Sequence, residues 1–412
     1  MKVDWLIICG GIHGVHVAAR LIGEAGVDPE TLRIVDPADR LLARWRACTA
    51  ATGMRYLRSP AVHHLDLDPW SLERWAGKRK RKRRGYGLFI PPRTRPSLDL
   101  FNAHCDRVIE RYGLADLHVK DRARTCALGG DPVTVQLASG RALAAHSVVL
   151  ALGASEQPHW PAWAPTDHAR VNHIFQPGFD DWPRCDAPEC IAVVGGGISA
   201  AQVALHLNKQ SHRVHLIARH ALRQHAFDSD PGWLGPKRMQ RFQQEPDRNR
   251  RRIMINEARH RGSMTSEVRH ALRYAIDHDC IGWHESQIER LIADGDRLVL
   301  RLADGTAIES DRVLLATGFA AKRPGGALVD ALVASASLPC AGCGYPVVDA
   351  ALRWHPRLYV TGPLAELELG PTSRNIAGAR SAADRLVDVA RRAAARARAA
   401  EGRRRGGDGA AI

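Results

Sequence analysis

The sequence predicts a three-layer α/β fold with two Rossmann-like dinucleotide-binding domains, of which the first is discontinuous. A buried strand, a glycine-rich turn and a helix follow one another twice, at residues 5–21 and 191–207. Each half then has a hairpin, a second buried strand and a closing glycine, at residues 133–154 and 298–319. The strand–turn–helix unit directs backbone N–H groups and the positive helix end towards a diphosphate.

The two halves repeat one plan. Residues 9–21 align with 195–207 without gaps, and residues 133–154 align with 298–319 in the same way. Coincidence between common α/β patterns is a poor explanation for two separate ungapped matches. We therefore expect two dinucleotides held face to face.

The strand that follows the first glycine-rich turn ends in an acid, Asp36. Such an acid binds the hydroxyls of an unmodified ribose, as in the adenosine half of FAD. The turn residues Gly10, Gly11, His13 and Gly14, together with Asp36, form the first predicted dinucleotide site. Cys9 occupies the first position of the turn, where glycine is usual, so we expect its backbone to avoid positive φ.

The second half differs from the first at the residue that selects the cofactor, which follows the second strand. Its second strand ends in Arg219, whose guanidinium suits the 2′-phosphate of NADP through two charged hydrogen bonds. A surface arginine without a ligand is the alternative, because the chain is rich in Arg. Gly195 and Gly197 of the second turn, together with Arg219, form the second predicted dinucleotide site.

The chain returns to the first domain near its end. A strand closes on Gly362, and a helix opens at Asn375 and Gly378. In a flavoprotein the N-terminus of this helix would face the pyrimidine end of the flavin and stabilise negative charge there. These three residues complete the predicted FAD site.

These patterns divide the chain into five parts. They are an FAD-binding part at 1–156, a linker at 157–188, an NAD(P)-binding domain at 189–310, a second FAD-binding part at 311–390 and a basic, disordered tail at 391–412. An insertion near residues 227–260 has a stretch, 241–252, that is predicted to be exposed. The insertion would cover the nicotinamide or line a substrate entry, or be an ordinary surface excursion.

The distribution of charge argues against a nucleic-acid-binding fold. The net charge is +15, but residues 78–84 read KRKRKRR and seven more Arg follow residue 390. A solvated loop and a frayed tail would therefore hold most of the positive charge, and no specific nucleic acid is predicted as a partner. Neither a membrane span nor a signal peptide is predicted, so we expect a cytoplasmic protein with mostly reduced cysteines.

Two clusters suggest metal or redox chemistry. The run HHLDLDP at residues 63–69 holds two adjacent His, but neighbours on a strand point to opposite faces, so no metal site is predicted. Cys340 and Cys343 form a CxxC pair. The pair would either relay electrons from a flavin to a disulfide or, as we favour, lie in a tight turn.

The order of these motifs resembles the flavin-containing monooxygenase superfamily, most closely its lysine and ornithine N-hydroxylase-like branch. The motifs are the two turns, Ala151-Leu152-Gly153, and Ala316-Thr317-Gly318-Phe319. The resemblance implies that Thr317 and Gly318 mark the return to the FAD domain. It assigns FAD to Gly10, Gly11, Gly14 and Asp36, and NADPH to Gly195, Gly197, Ser199 and Arg219. It also implies that NADPH reduces FAD, and that a C4a-hydroperoxyflavin delivers one oxygen atom to a small amine or other soft nucleophile. Positioning and water exclusion carry such a reaction, so no catalytic residue is predicted.

Two other functions stay open. One is a reductase that passes electrons from NAD(P)H through a flavin to a quinone, a disulfide or a protein. The other is a non-catalytic, redox-sensing flavoprotein whose basic loop and tail dock a partner. In the leading prediction the reaction partners are a small-molecule substrate and O2, and the oligomeric state is not predicted.

Overall fold

The computed structural model describes residues 2–80, 87–179, 187–295 and 297–407. Two sheets with parallel central strands organise this part of the chain, and each has both faces covered. Strands covered on both faces are expected to be continuously apolar, as the runs at residues 5–8 and 191–194 are.

The strands are short and are named here in chain order. They are β1 (Lys2–Ile8), β2 (Leu32–Asp36), β3 (Phe89–Ile90), β4 (Arg95–Pro96), β5 (His118–Lys120), β6 (Ala123–Ala127), β7 (Val133–Leu137), β8 (Ala142–Leu150), β9 (Val171–His173), β10 (Cys190–Val194), β11 (Arg213–Ala218), β12 (Arg223–Gln224), β13 (Ser263–Met264), β14 (Ile281–Glu285), β15 (Ile288–Asp294), β16 (Arg297–Leu302), β17 (Ala307–Ser310), β18 (Arg312–Leu315), β19 (Arg353–His355) and β20 (Leu358–Val360).

The helices connect these strands and cover the sheets. They are α1 (Ile12–Gly23), α2 (Ala43–Ala50), α3 (Ser71–Lys80), α4 (Leu98–Arg111), α5 (Ile198–Lys209), α6 (Pro236–Gln244), α7 (Arg248–Ala258), α8 (Ser266–Asp277), α9 (Gly326–Ala336), α10 (Glu366–Leu369) and α11 (Ile376–Gly407). Short 3-10 turns lie at Pro29–Thr31, Pro231–Leu234, Gly362–Ala365 and Pro371–Arg374.

The first sheet has the order β19-β20-β8-β1-β2-β5, and β6 and β7 extend it from β8. β1 runs parallel to both β2 and β8. Trp5 and Ile7 pack in one core with residues of α1, α4 and α11. Leu6 and Ile8 pack in a second core on the opposite face, with residues of α9 and of the β6–β7 hairpin.

The second sheet has the order β14-β11-β10-β18-β9, and its pairings are parallel. Ile191 and Val193 pack with α5 and α8 on one face. Ala192 and Val194 pack on the other face with the antiparallel sheet β15-β16-β17. The order β14-β11-β10-β18 of this sheet therefore matches β5-β2-β1-β8 of the first, and the predicted three-layer α/β fold with two Rossmann-like units is confirmed.

The repeat extends to individual hydrogen bonds. The N–H of Cys9 donates to the Val35 carbonyl at 2.8 Å, and the N–H of Gly195 donates to the Ile217 carbonyl at 2.9 Å. In the hairpins, residue 140 has a φ of 85° and residue 305 has a φ of 87°, and both are glycine. Both halves thus build their turns by the same backbone geometry.

The structure corrects two predicted boundaries. The predicted linker at 157–188 contains β9, which pairs with β18 at the edge of the second sheet. β18 itself pairs with β10, so the return to the first sheet comes after Leu315 and not at residue 311. The reason is that β18 is the counterpart of β8, and each Rossmann unit needs this strand beside its first one.

Three further expectations differ from what the structure shows. The predicted disordered tail is helical as far as Gly407, because its Ala and Arg residues are strong helix formers. In the insertion, the stretch 241–252 is not wholly exposed, since Phe242, Arg251 and Arg252 are buried. The basic run 78–84 begins within α3, and its residues 81–84 lie outside the described part of the chain.

In the described residues no helix is both long and apolar enough to cross a membrane.

Candidate functional site

The first glycine-rich turn leaves the N-terminus of α1 open to a ligand. The N-cap is Gly11, and no side chain of the described residues caps the helix. The first turn of α1 contains no acid. Its N–H groups therefore stay available, and the positive helix end favours an anion such as a diphosphate.

Close packing requires glycine at position 14 of this turn and favours it at position 10. A Cβ on Gly14 would lie 1.9 Å from the carbonyl oxygen of Cys9. A Cβ on Gly10 would lie 2.5 Å from Cδ2 of Leu41. Helix and turn thus approach each other as a dinucleotide-binding turn requires.

The expectation for the Cys9 backbone is wrong. Cys9 has a φ of 90°, and its counterpart Gly195 has a φ of 150°. The hydrogen bond from the Cys9 N–H to Val35 fixes the turn, so Cys9 takes a conformation that favours glycine. Burial, helped by the nearby Asp36, raises the pKa of the Cys9 thiol to about 12, so it is neutral.

Asp36 lies at the mouth of the same turn. Its Oδ2 accepts a hydrogen bond from the Gly10 N–H at 2.7 Å, and its Oδ1 accepts one from the Ala38 N–H at 2.9 Å. The carboxylate is half-buried and fixed by these two bonds. Binding of a ribose by Asp36 stays a prediction.

His13 joins this turn to the returning end of the chain. Its Nδ1 lies 2.8 Å from Oγ1 of Thr361. A Cβ on Gly362 would lie 3.7 Å from the His13 ring. Burial lowers the pKa of His13 to about 4, opposed in part by the backbone groups of Asn375 and Arg374. The structure thus brings His13, Gly362 and Asn375 together. The neutral imidazole of His13 lies in the first turn of α1, close to the residues that precede α11.

The second turn has the same open helix end. The N-cap of α5 is Gly197, and within the described ranges no side chain caps it. A Cβ on Gly195 would lie 2.6 Å from the Ala316 carbonyl oxygen, so this turn also requires glycine. Ser199 is the second residue of the helix, and its contact with a cofactor stays a prediction. A second diphosphate fits here.

Basic residues lie beside the second turn. Arg219 is exposed directly after β11, and among the residues that the structure describes it forms no ion pair. The ring of His220 fills the space between two glycines, since a Cβ on Gly196 or Gly262 would lie 2.6 or 2.5 Å from it. The placement is compatible with a bound phosphate, and that role stays a prediction.

Thr317 and Gly318 lie where two connecting segments pair. Pro158 forms an antiparallel bridge with Phe319, and the His159 N–H donates to the Gly318 carbonyl at 2.9 Å. The Thr317 hydroxyl donates to the His159 carbonyl at 2.5 Å and lies 3.1 Å from Nε2 of His173. The two segments that connect the sheets are therefore held together by hydrogen bonds at these residues.

Asn375 and Gly378 lie at the start of α11, which begins at Ile376. A Cβ on Gly378 would lie 2.3 Å from the carbonyl oxygen of Ser373. Gly378 thus lets the first turn of α11 pack on the preceding 3-10 turn. Its predicted contact with a cofactor is untested.

Sequence patterns did not reveal the ion network beside this helix end. Glu366 is fully buried and pairs with Arg252 and Arg374. Tyr345 contacts both guanidinium groups through its hydroxyl. These residues are far apart in sequence, so only the tertiary structure brings them together.

The two cysteines of the CxxC pair are free thiols. The Ala341 N–H donates to the Tyr345 carbonyl at 2.9 Å, which closes a tight turn. Partial burial raises the pKa of Cys340, although Arg323 donates to its Sγ at 3.5 Å. Redox activity of the pair is untested.

The histidines of the HHLDLDP run lie in an irregular segment and not on a strand. His64 is fully buried, its Nε2 lies 3.0 Å from the Pro69 carbonyl, and its Nδ1 accepts from the Asp66 N–H at 3.1 Å. No group of three or more His, Cys, Asp or Glu suited to a metal occurs among the described residues.

Two family models match parts of the chain. The model described as FAD-NAD(P)-binding matches residues 6–155, and the one described as pyridine nucleotide-disulphide oxidoreductase matches residues 105–276. The first match confirms the predicted class of cofactor for the first domain. Comparison with curated protein sequences finds no significant match.

Solved structures share the whole architecture. The ornithine N-hydroxylase of Kutzneria sp. 744, solved with reduced FAD, NADP+ and L-ornithine, has a TM-score of 0.74 at 17% identity, over 95% of this chain and 99% of that chain. The chain has the fold of the flavin-dependent N-hydroxylases. The L-lysine 6-monooxygenase of Pseudomonas syringae gives 0.73 at 18% identity with the same coverage. The bacillithiol disulfide reductase of Bacillus cereus gives 0.60 at 15% identity, again over 95% and 99%. The N-hydroxylase fold is thus shared with reductases.

Proposed function

We propose that the chain is an FAD- and NADPH-dependent monooxygenase that adds one oxygen atom to a small amine or other soft nucleophile. The observation that carries the proposal is the pair of equivalent turns with open helix ends, one followed by Asp36 and the other by Arg219. The fold of the N-hydroxylases supports it.

In this proposal the N–H groups at the start of α1 hold the FAD diphosphate, and Asp36 accepts from the ribose hydroxyls. The start of α11, at Asn375, faces the flavin. The second turn holds the NADPH diphosphate at α5, and Arg219 binds the 2′-phosphate through charged hydrogen bonds.

When bound, FAD would accept two electrons from NADPH and pass them to O2, of which one atom enters the substrate and the other leaves as water. The protein contributes orientation and exclusion of water. The insertion would contribute to the second task, because Arg251 of α7 donates to the Leu367 carbonyl at 2.9 Å and so holds α7 against α10.

A reductase is the second candidate, favoured by the family match over residues 105–276 and by the CxxC pair. Electrons would then pass from FAD to a disulfide or another acceptor. A redox sensor that NADPH does not reduce is the third. The free thiols of the described cysteines support a cytoplasmic location in each case.

Rapid mixing of the NADPH-reduced protein with O2 separates these functions. For a monooxygenase we expect the flavin to reoxidise in two phases, of which the second is slower when no substrate is present. When an amine is turned over under 18O2, each product molecule should contain one 18O atom. Direct single-phase reoxidation with stoichiometric hydrogen peroxide would favour the reductase. Failure of NADPH to bleach the flavin would favour the sensor.

A further inference from the structure

A fully buried carboxylate lies next to the flavin-facing end of α11. Glu366 has an exposed fraction of 0% and pairs with two guanidinium groups. Its Oε2 accepts from Nε of Arg374 at 2.7 Å, and its Oε1 faces Nη1 of Arg252. Two positive charges and one negative charge thus leave a net positive charge at this point.

Tyr345 fixes the geometry of both arginines. Its hydroxyl accepts from Nη2 of Arg374 at 2.9 Å and from Nη2 of Arg252 at 3.2 Å. The Arg252 guanidinium also lies over the Tyr345 ring, 4.1 Å from its centroid. Tyr345 is itself buried and donates to the Ala321 carbonyl at 3.1 Å, so the cluster is rigid.

The cluster connects four segments of the chain. Arg252 belongs to α7 of the insertion, and Ala321 follows the crossing segment between the two sheets. Arg374 ends the 3-10 turn whose next residue, Asn375, precedes α11. The insertion is thereby joined to the helix end that the proposed flavin would face.

Contacts of His13 indicate that this helix end is close to the FAD diphosphate. His13 is in the first turn of α1, its Nδ1 contacts Thr361, and the backbone groups of Arg374 and Asn375 influence its pKa. In the proposed FAD site the adenosine ribose is placed at Asp36, so the flavin half would lie on the side of His13 and Arg374.

We infer that Glu366, Arg252 and Arg374 set the electrostatic potential at the start of α11 and thereby tune the reduction potential of the flavin. Glu366 is a positioning residue, because it holds Arg374 and offsets its charge. Reduction by two electrons adds negative charge to the flavin, and positive charge beside it favours the reduced form. The inference rests on the proposed FAD site.

The test is the midpoint potential of bound FAD in charge variants of the cluster. Glu366→Gln removes a negative charge and shifts the potential to more positive values. Arg374→Gln removes a positive charge and shifts it to more negative values, whereas Arg374→Lys keeps it near that of the wild type. The size of the shift follows from the interaction between the side-chain charge and the negative charge that the flavin gains on reduction. For two unit charges about 10 Å apart, at an effective dielectric constant of about 20, removing one changes the ratio of the dissociation constants of oxidised and reduced FAD about tenfold. For a two-electron couple this is about 30 mV.

Glu368 provides a matched control. It lies on the same short helix, α10, and pairs with Arg251 of α7 and Arg385 of α11, so it joins the same helices. Glu368→Gln is expected to shift the potential less than Glu366→Gln does, because Glu368 is partly exposed to solvent and its partner Arg385 lies more than two turns beyond the start of α11. Thermal unfolding of each variant shows whether the fold is kept, and if Glu366→Gln does not fold, the Arg374→Gln and Arg374→Lys pair carries the test.

The outcomes separate this inference from the proposed function. Opposite shifts for Glu366→Gln and Arg374→Gln, with a smaller shift for Glu368→Gln, support the inference. Shifts in one direction for both, or an equal shift for Glu368→Gln, overturn it and leave the monooxygenase proposal intact. A purified wild-type protein that binds no FAD overturns both.

Discussion

Cys9 and Gly195 occupy the same position of two equivalent turns, and both have positive φ, of 90° and 150°. Each donates its N–H to the strand that follows, to Val35 and to Ile217. Because only one of them is glycine, the first turn carries backbone strain that the second avoids.

Cys9→Gly is therefore expected to relieve strain of about 1–2 kcal/mol, offset in part by the lost side-chain packing. Cys9→Val adds a β-branched side chain at the same φ and is expected to lower the free energy of unfolding relative to the Gly variant by about 2 kcal/mol. Urea unfolding of the two variants measures the difference. Equal stability would show that the turn imposes no positive φ on residue 9.

Arg219→Ala tests the choice of pyridine nucleotide. Loss of hydrogen bonds to a charged group costs about 1.5–3 kcal/mol, so the dissociation constant of NADPH should rise roughly 10- to 100-fold, with that of NADH unchanged. Titration of the oxidised protein with each nucleotide measures both constants. Arg223→Ala, at the nearby β12, is the control. An equal loss for both nucleotides would mean that Arg219 does not contact the 2′-phosphate.

The buried side chain of His13 is expected to make the free energy of unfolding depend on pH. Burial lowers its pKa to about 4, below the value of about 6.5 for an unfolded chain. Between these values the unfolded state binds a proton that the folded state does not, so stability falls as the pH falls from about 6.5 to 4. The effect of this residue is at most about 3 kcal/mol.

His13→Gln isolates that contribution from those of other buried histidines. Chemical unfolding of both proteins from pH 4 to 7 should give a shallower loss of stability for the variant at low pH. Parallel curves would show that His13 titrates alike in the folded and unfolded states.

Glu366→Ala and Glu368→Ala compare two carboxylates of α10. Removing a buried partner leaves guanidinium groups unpaired, which costs about 3–5 kcal/mol, so Glu366→Ala should be strongly destabilising. The Glu368 side chain is 14% exposed and its loss should cost less. The free energies of unfolding of the two apoproteins give the comparison. A larger loss at Glu368 would contradict the placement of Glu366 between its two arginines.

Cys340→Ser with Cys343→Ser tests the dithiol alternative. Because the two thiols lie in a tight turn and the pKa of Cys340 is raised, we expect NADPH-dependent turnover to be unaltered. The rate of NADPH oxidation in air measures it. A loss of turnover at unchanged FAD content would favour the reductase.

Residues close in sequence made most of the fold predictable. The strand, turn and helix around Gly11 and around Gly197 are local patterns, and their repetition predicted both Rossmann units. The positive φ of Cys9 escaped prediction because it is set by the hydrogen bond to Val35, on another strand. The cluster of Glu366 escaped for the same physical reason, since its partners come from distant segments and a buried glutamate has no local sequence pattern.

Anaerobic mixing of the FAD-bound protein with NADPH or NADH tests the central claim that two matched turns hold FAD and NADPH face to face. We predict complete loss of the oxidised flavin absorbance with NADPH, much slower loss with NADH, and loss of that preference in Arg219→Ala. A flavin that NADPH does not reduce would contradict the claim.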